Sequence, residues 1–285
     1  MKRSRRLIWD AALQWSRHNA PRLGAALAYY TVLSLAPILI LVVAVCGYFF
    51  GAQTVREQLY RQISQTVGTQ SAAIIESLLT GTQRYAGEGS ASLLGAAVLL
   101  VGASGVFVEL RDALNYIWDA PPNTGSGILL FIRDRFFSFA MVLTVGFLLA
   151  LSLAASALAH LFAGNAGLRF SAPVLIAGNF IVAFFVKAFL FALIYRVIPE
   201  ARVEWRDVAM GATVTAILFE AGDFFITYYL GKAGIGSAYG AAGSLVALLV
   251  WVYYSAQIFL YGAEVTHVYA LSRRRMASGS ENYSI

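Results

Sequence analysis

The chain has 285 residues, of which 59% are hydrophobic and only 13% are charged. The charged share is about half the soluble-globular norm, which excludes an ordinary soluble domain, and the apolar excess also excludes a disordered chain. The net charge of +6, from 21 Lys/Arg against 15 Asp/Glu, points to nucleic acid or to a membrane surface, and the placement of the charges decides between them.

In chain order, residues 3–17 read as an inner interfacial helix, with Leu7, Ile8, Ala11 and Trp15 opposing the arginines. Leu23 to Val55 is a charge-free run of 33 residues. A helix needs about 20 apolar residues to cross the hydrocarbon core, so this run suffices. It is far longer than the apolar core of a signal peptide and reads as a retained first span, residues 24–50. Pro37 interrupts it after Tyr29, Tyr30, Thr31 and Ser34. Proline lacks a donor and frees a carbonyl one turn back, so it marks a kink, either for packing or at a binding site.

Residues 51–88 form the one long external loop. Val55, Leu59, Ile63 and Val67 recur every four residues, followed by Ile74, Ile75, Leu78 and Leu79. Two short amphipathic helices forming an outer cap are expected there. The second span is 90–112, with Gly102-Ala103-Ser104-Gly105 inviting close helix approach and Glu109 and Asp112 near its end. Pro121-Pro122 ends the helical stretch Arg111–Ala120. The third span, 136–162, lies in a second charge-free run of 33 residues. The fourth, 173–198, is apolar but for Lys187, and Pro173 and Pro199 bracket it. The fifth, 208–230, is apolar but for Glu220 and Asp223, and the sixth is 242–270. Beyond Arg275 the short polar tail, 276–285, reads as disordered. Barrel strands are about 10 residues of strict alternation, which these runs are not. The fold class is therefore all-α: a polytopic membrane protein of six helices in one domain, residues 1–275.

Fifteen of the 21 Lys/Arg fall in the N-terminal segment (1–22), the second and fourth connections and the C-terminal tail. Five fall on the other side, and Lys187 lies within a span. The positive-inside rule then puts both termini in the cytoplasm. The +6 is explained by topology, and no nucleic-acid partner is expected.

A charge at mid-bilayer costs at least about 2.5–3.5 kcal/mol, so such groups face the bundle interior and are paired. Lys187 lies halfway along the fourth span, and Glu220 and Asp223 halfway along the fifth, one turn apart on one face. Tyr254, Gln257, Tyr261 and Glu264 make a second seam on the sixth span. Lys187 with Glu220, Asp223 and Glu264 carries a formal −2, which a dry site would not hold without protons, cations or water. The set reads either as interhelical glue or as a polar pathway, proton- or cation-coupled.

The lone cysteine, Cys46, allows no intrachain disulfide, and His18, His160 and His267 are scattered without metal spacing. No phosphate loop, dinucleotide fingerprint or His-Glu-x-x-His occurs, and no soluble part is large enough for a catalytic domain. Neither a metal nor a cofactor is expected, nor an enzyme.

Three stretches carry a family likeness: Ala25-Ala26-Leu27-Ala28-Tyr29-Tyr30-Thr31-Val32-Leu33-Ser34-Leu35-Ala36-Pro37, Leu110-Arg111-Asp112-Ala113-Leu114-Asn115-Tyr116-Ile117-Trp118, and Tyr239-Gly240-Ala241-Ala242-Gly243-Ser244 with the following Leu249 to Glu264. Together with Leu218-Phe219-Glu220 they resemble the YihY/BrkB family of bacterial inner-membrane proteins over nearly the whole chain. The resemblance implies six helices, an inner-membrane location, and links to serum resistance and to export of lipopolysaccharide precursors or lipids. Its old label, ribonuclease BN, is regarded as a misassignment. The residues speak against that label too, because a metal-dependent nuclease needs acids clustered in water beside a basic groove.

The expected function is translocation of a lipid or lipid-linked amphiphile. Lys187 would meet an anionic headgroup or pair with Glu220, and Glu220, Asp223 and Glu264 would be proton or cation sites. Membrane lipids and an anionic lipid or small-molecule cargo are the expected partners, and an oligomer is left open. The alternative is a non-transporting scaffold or envelope-assembly factor, binding partners through the 53–80 cap or the Arg111–Trp118 helix.

Overall fold

The computed structural model describes residues 2–67, 72–73, 76–77, 90–121, 172–201, 203–232 and 243–281. Within them lie seven helices and no strand: α1 (Lys2–Arg17), α2 (Ala20–Phe50), α3 (Ala52–Val67), α4 (Ser90–Ile117), α5 (Ala172–Val197), α6 (Trp205–Lys232) and α7 (Gly243–Glu281). The third expected span, 136–162, lies outside the described residues, as do Ile74, Ile75, Leu78 and Leu79 of the cap, the side chain of Asp223 and residues 282–285. Two described helices, Ala20–Phe50 and Leu245–Met276, are long and apolar enough to cross a membrane.

α7 is the hub, packing against α6, α2, α1 and α4, while α5 packs on α6 and α3 on α2. The main core joins Leu114 and Ile117 of α4, Tyr195 of α5, Val208 and Ala212 of α6, and Leu260 and Ala263 of α7. Small residues make the tightest crossing. A Cβ on Gly211 of α6 would sit 1.7 Å from Thr266 Oγ1, and one on Gly262 of α7 would sit 1.7 Å from Thr215 Oγ1. Each glycine thus receives the other helix's threonine. Each threonine hydroxyl also donates to the carbonyl four residues back, Thr215 to Gly211 and Thr266 to Gly262, so no donor is stranded at the crossing.

α2 continues through Pro37 without ending. A Cβ on Gly102 would lie 2.9 Å from Pro37 Cγ, and Ser34 Oγ donates to Gly102 O at 2.7 Å. The proline ring therefore fills a notch in α4, which is a packing role. At 31 residues α2 is about 46 Å long, more than the roughly 30 Å hydrocarbon core. Its far end meets α3, which turns back at Gly51 (φ 85°) and packs Val55, Leu59 and Ile63 on Leu39, Val42, Val43 and Cys46. The four-residue repeat in this loop thus faces α2 rather than a flat membrane surface.

Two expectations meet a different structure. α7 runs on past Arg275 to Glu281, where the polar composition reads as a disordered tail. On α1, Ala11 is buried and Leu7 and Trp15 half-buried against the bundle, but Ile8 is exposed. The residues expected to meet lipid are largely occupied by protein contacts, and a different face is left open.

Candidate functional site

The charges expected within the spans fall into two groups. In the first, Lys187 Nζ of α5 donates to Glu220 Oε1 of α6 at 2.7 Å. The two lysine and glutamate positions lie midway along neighbouring helices, as their spacing in the sequence suggests. The pair is closed but not sealed: its side chains keep 37% and 22% of their surface exposed. Asp223 is one turn beyond Glu220 on α6.

The second group gathers on α7. Glu264 is fully buried, and its Oε1 lies 2.6 Å from Nδ1 of His18. His18 sits in the two-residue break between α1 and α2, where Asn19 takes a left-handed conformation (φ 50°). Asparagine tolerates that region, and the break is what turns the imidazole toward α7. Glu264 Oε2 has no hydrogen-bond partner among the described residues, so His18 carries the contact alone. The His18 ring stands edge-on to Tyr116 of α4, 5.5 Å between centroids.

The rest of this seam ties α7 to the start of the chain. Tyr261 OH donates to Ile8 O at 3.0 Å, and Gln257 Nε2 reaches Ala20 O at 3.4 Å. Gly24 makes room for Gln257, because a Cβ there would lie 2.0 Å from Nε2. Gln257, Tyr261 and Glu264 therefore all face the first twenty-odd residues. The four groups counted together as a −2 cluster are divided: Glu220 takes Lys187, and Glu264 takes His18.

Sequence reasoning missed His18, because its partner is 246 residues away. It also missed His267, one turn past Glu264, which stacks at a tilt on Trp118, 5.1 Å between centroids. His267 and Trp118 line a cavity of about 280 Å³ with Asp119, Ala201, Leu271 and Arg274. The histidine spacing (i, i+3 from Glu264) was the available signal, and it was weak.

At the same end, Arg273 bonds Glu204 and lies 3.3 Å from Asp207 Oδ1. The hydrogen bond and charge of Arg273 hold the Glu204 carboxyl below the usual range. Asp207, in the first turn of α6, is fully buried, and burial pushes its carboxyl up against the opposing pull of Arg273. Tyr195 OH donates to Phe259 O at 2.7 Å, lies 2.9 Å from Thr215 Oγ1, and belongs to the core. Among the described residues, no group of three or more His, Cys, Asp or Glu is placed to hold a metal ion.

The profile of the virulence factor BrkB family matches residues 11–283. A UPF0761 membrane protein of Aeromonas salmonicida is 29% identical, covering 90% of this chain and 87% of its own length. One from Psychromonas ingrahamii is 30% identical over 84% of this chain and 79% of its own length. One from Mannheimia succiniciproducens is 25% identical over 94% and 91%. No solved structure matches the chain.

Proposed function

The chain belongs to the BrkB virulence-factor family of membrane proteins, and from that premise we propose that it translocates a lipid or lipid-linked amphiphile across the bacterial inner membrane. In this reading six helices cross the bilayer with both termini in the cytoplasm, as the charge sidedness requires. The observation that carries the reading is the Lys187–Glu220 pair. Interhelical glue is normally packed away from its surroundings. This pair lies midway along its helices, yet keeps 37% and 22% of its side-chain surface exposed. A lysine held there by one acid can exchange that acid for an anionic headgroup, with Glu220 taking a proton or cation as the lysine leaves. The His18–Glu264 pair would hold the N-terminal segment against α7 while the pathway works.

The second reading, a scaffold or assembly factor without transport, is favoured by the closed 2.7 Å contact itself. Cysteine labelling separates the two. In a Cys46→Ala background, Lys187→Cys is exposed to a membrane-impermeant maleimide in intact and inside-out vesicles. Labelling from either side supports a pathway open to water. Inertness from both sides, with a terminal control cysteine labelled, supports the scaffold.

A further inference from the structure

The exposed face of α1 has no partner among the described residues. Trp9 is 66% and Leu13 44% exposed, one helical turn apart, and Arg6 and Arg17 are exposed one turn to either side. The opposite face, Ala11 with Leu7 and Trp15, is already covered by the bundle. The helix therefore has two apolar stripes, and the fold uses only one.

Its position is fixed by three links. α1 ends at Arg17 and α2 begins at Ala20, so α1 lies at the boundary where the first span starts. Tyr261 OH holds the Ile8 carbonyl, and Glu264 holds His18 at the hinge. α1 is thus pinned by its inner side, with the Trp9–Leu13 stripe on the side away from α7.

We propose that this outer face, Trp9 and Leu13 between Arg6 and Arg17, is a docking surface for anionic phospholipid at the membrane boundary. Tryptophan favours the headgroup level, where its ring is buried and its N–H stays wet. Arginines beside it meet lipid phosphates bidentately. Asp10 is the one acid on this face, against Arg6 and Arg17, and the preceding turn adds Lys2, Arg3 and Arg5 to the sequence. Charge complementarity selects an anionic surface over a second copy of the chain, whose matching face would be equally basic. Each arginine near an anionic leaflet strengthens attachment by a factor of about five. This inference rests on membrane location and not on translocation.

The test uses the full chain in a Cys46→Ala background with a nitroxide at Ser16→Cys, beside the stripe. The protein is reconstituted in phosphatidylcholine vesicles with and without phosphatidylglycerol. The label should be shielded from a water-soluble relaxant and reached by oxygen, more so with phosphatidylglycerol. Trp9→Ser with Leu13→Ser should expose it, and Arg6→Gln should weaken the phosphatidylglycerol effect about fivefold. A label equally water-exposed in both vesicles overturns the proposal. So does spin–spin broadening that grows with protein density, which would assign the face to a second copy. Gel filtration of each variant separates lost docking from lost folding.

Discussion

Removing the imidazole of His18 should cost far more than neutralising its partner. Glu264 is fully buried, and Oε1 has His18 as its hydrogen-bond partner at 2.6 Å, while Oε2 has none among the described residues. His18→Ala therefore strands a buried carboxylate, a class of change that costs about 3–5 kcal/mol. Glu264→Gln keeps an acceptor for the imidazole N–H and exchanges a charge-assisted bond for a neutral one, at about 1–2 kcal/mol. The double variant strands only a neutral amide. It should fall short of additivity by about 2 kcal/mol, the sign expected of a direct pair. At roughly 2–4 °C per kcal/mol, His18→Ala should lower the melting temperature of the detergent-solubilised protein by roughly 6–20 °C. Tyr116→Ala controls for the lost ring contact, and His18→Gln, which retains a donor, should recover part of the loss. Additive single variants, or a His18→Ala protein melting within 2 °C of the parent, roughly the effect of 1 kcal/mol, would refute the reasoning.

Other consequences follow from the packing and the charges. Gly262→Ala should destabilise by about 1–3 kcal/mol, since its Cβ meets Thr215 Oγ1 at 1.7 Å and Tyr195 OH at 2.6 Å, and Thr215→Ala should restore only part of that. Gly211→Ala should likewise be rescued only in part by Thr266→Ala, because its Cβ also meets the Gly262 carbonyl at 2.7 Å; melting curves of the four variants decide. Asp207 has a raised folded value, so it binds its proton more tightly folded than unfolded, and its contribution falls as pH rises through that value. Asp207→Asn should therefore melt higher than the parent at neutral pH and converge with it in acid. Glu204, held low by Arg273, works in the opposite sense: its contribution is present above the unfolded value and is lost as pH falls through the folded one. Lys187→Met should reduce abundance more than Glu220→Gln, since it leaves a mid-span carboxylate without its cation, and the double variant should recover abundance on immunoblots.

Much of the architecture was legible because composition and period report burial directly. The length of the apolar runs located α2, α4, α5, α6 and α7 to within a few residues at most of their ends. The spacing of Lys187 and Glu220 placed them at one depth, and they meet. What the sequence hid were partnerships across long separations. Nothing local marks His18 as the partner of Glu264, or Asn19 as the hinge that turns it. On α1 the amphipathic pattern was real, but Trp9 and Leu13 gave the helix a second apolar stripe, and only packing shows which one the bundle covers. The tail reads as polar, yet α7 continues through it to Glu281.

Translocation is tested by lipid movement in sealed proteoliposomes. Purified protein is reconstituted with fluorescent anionic and zwitterionic lipids and with lipid-linked glycans, with and without a proton gradient. Transfer between leaflets is followed by a membrane-impermeant quencher. A translocating protein moves at least one amphiphile faster than protein-free vesicles do, and Glu220→Gln slows that transfer in a protein that still reconstitutes as well as the parent. Transfer equal to that of protein-free vesicles for every lipid and gradient would contradict translocation.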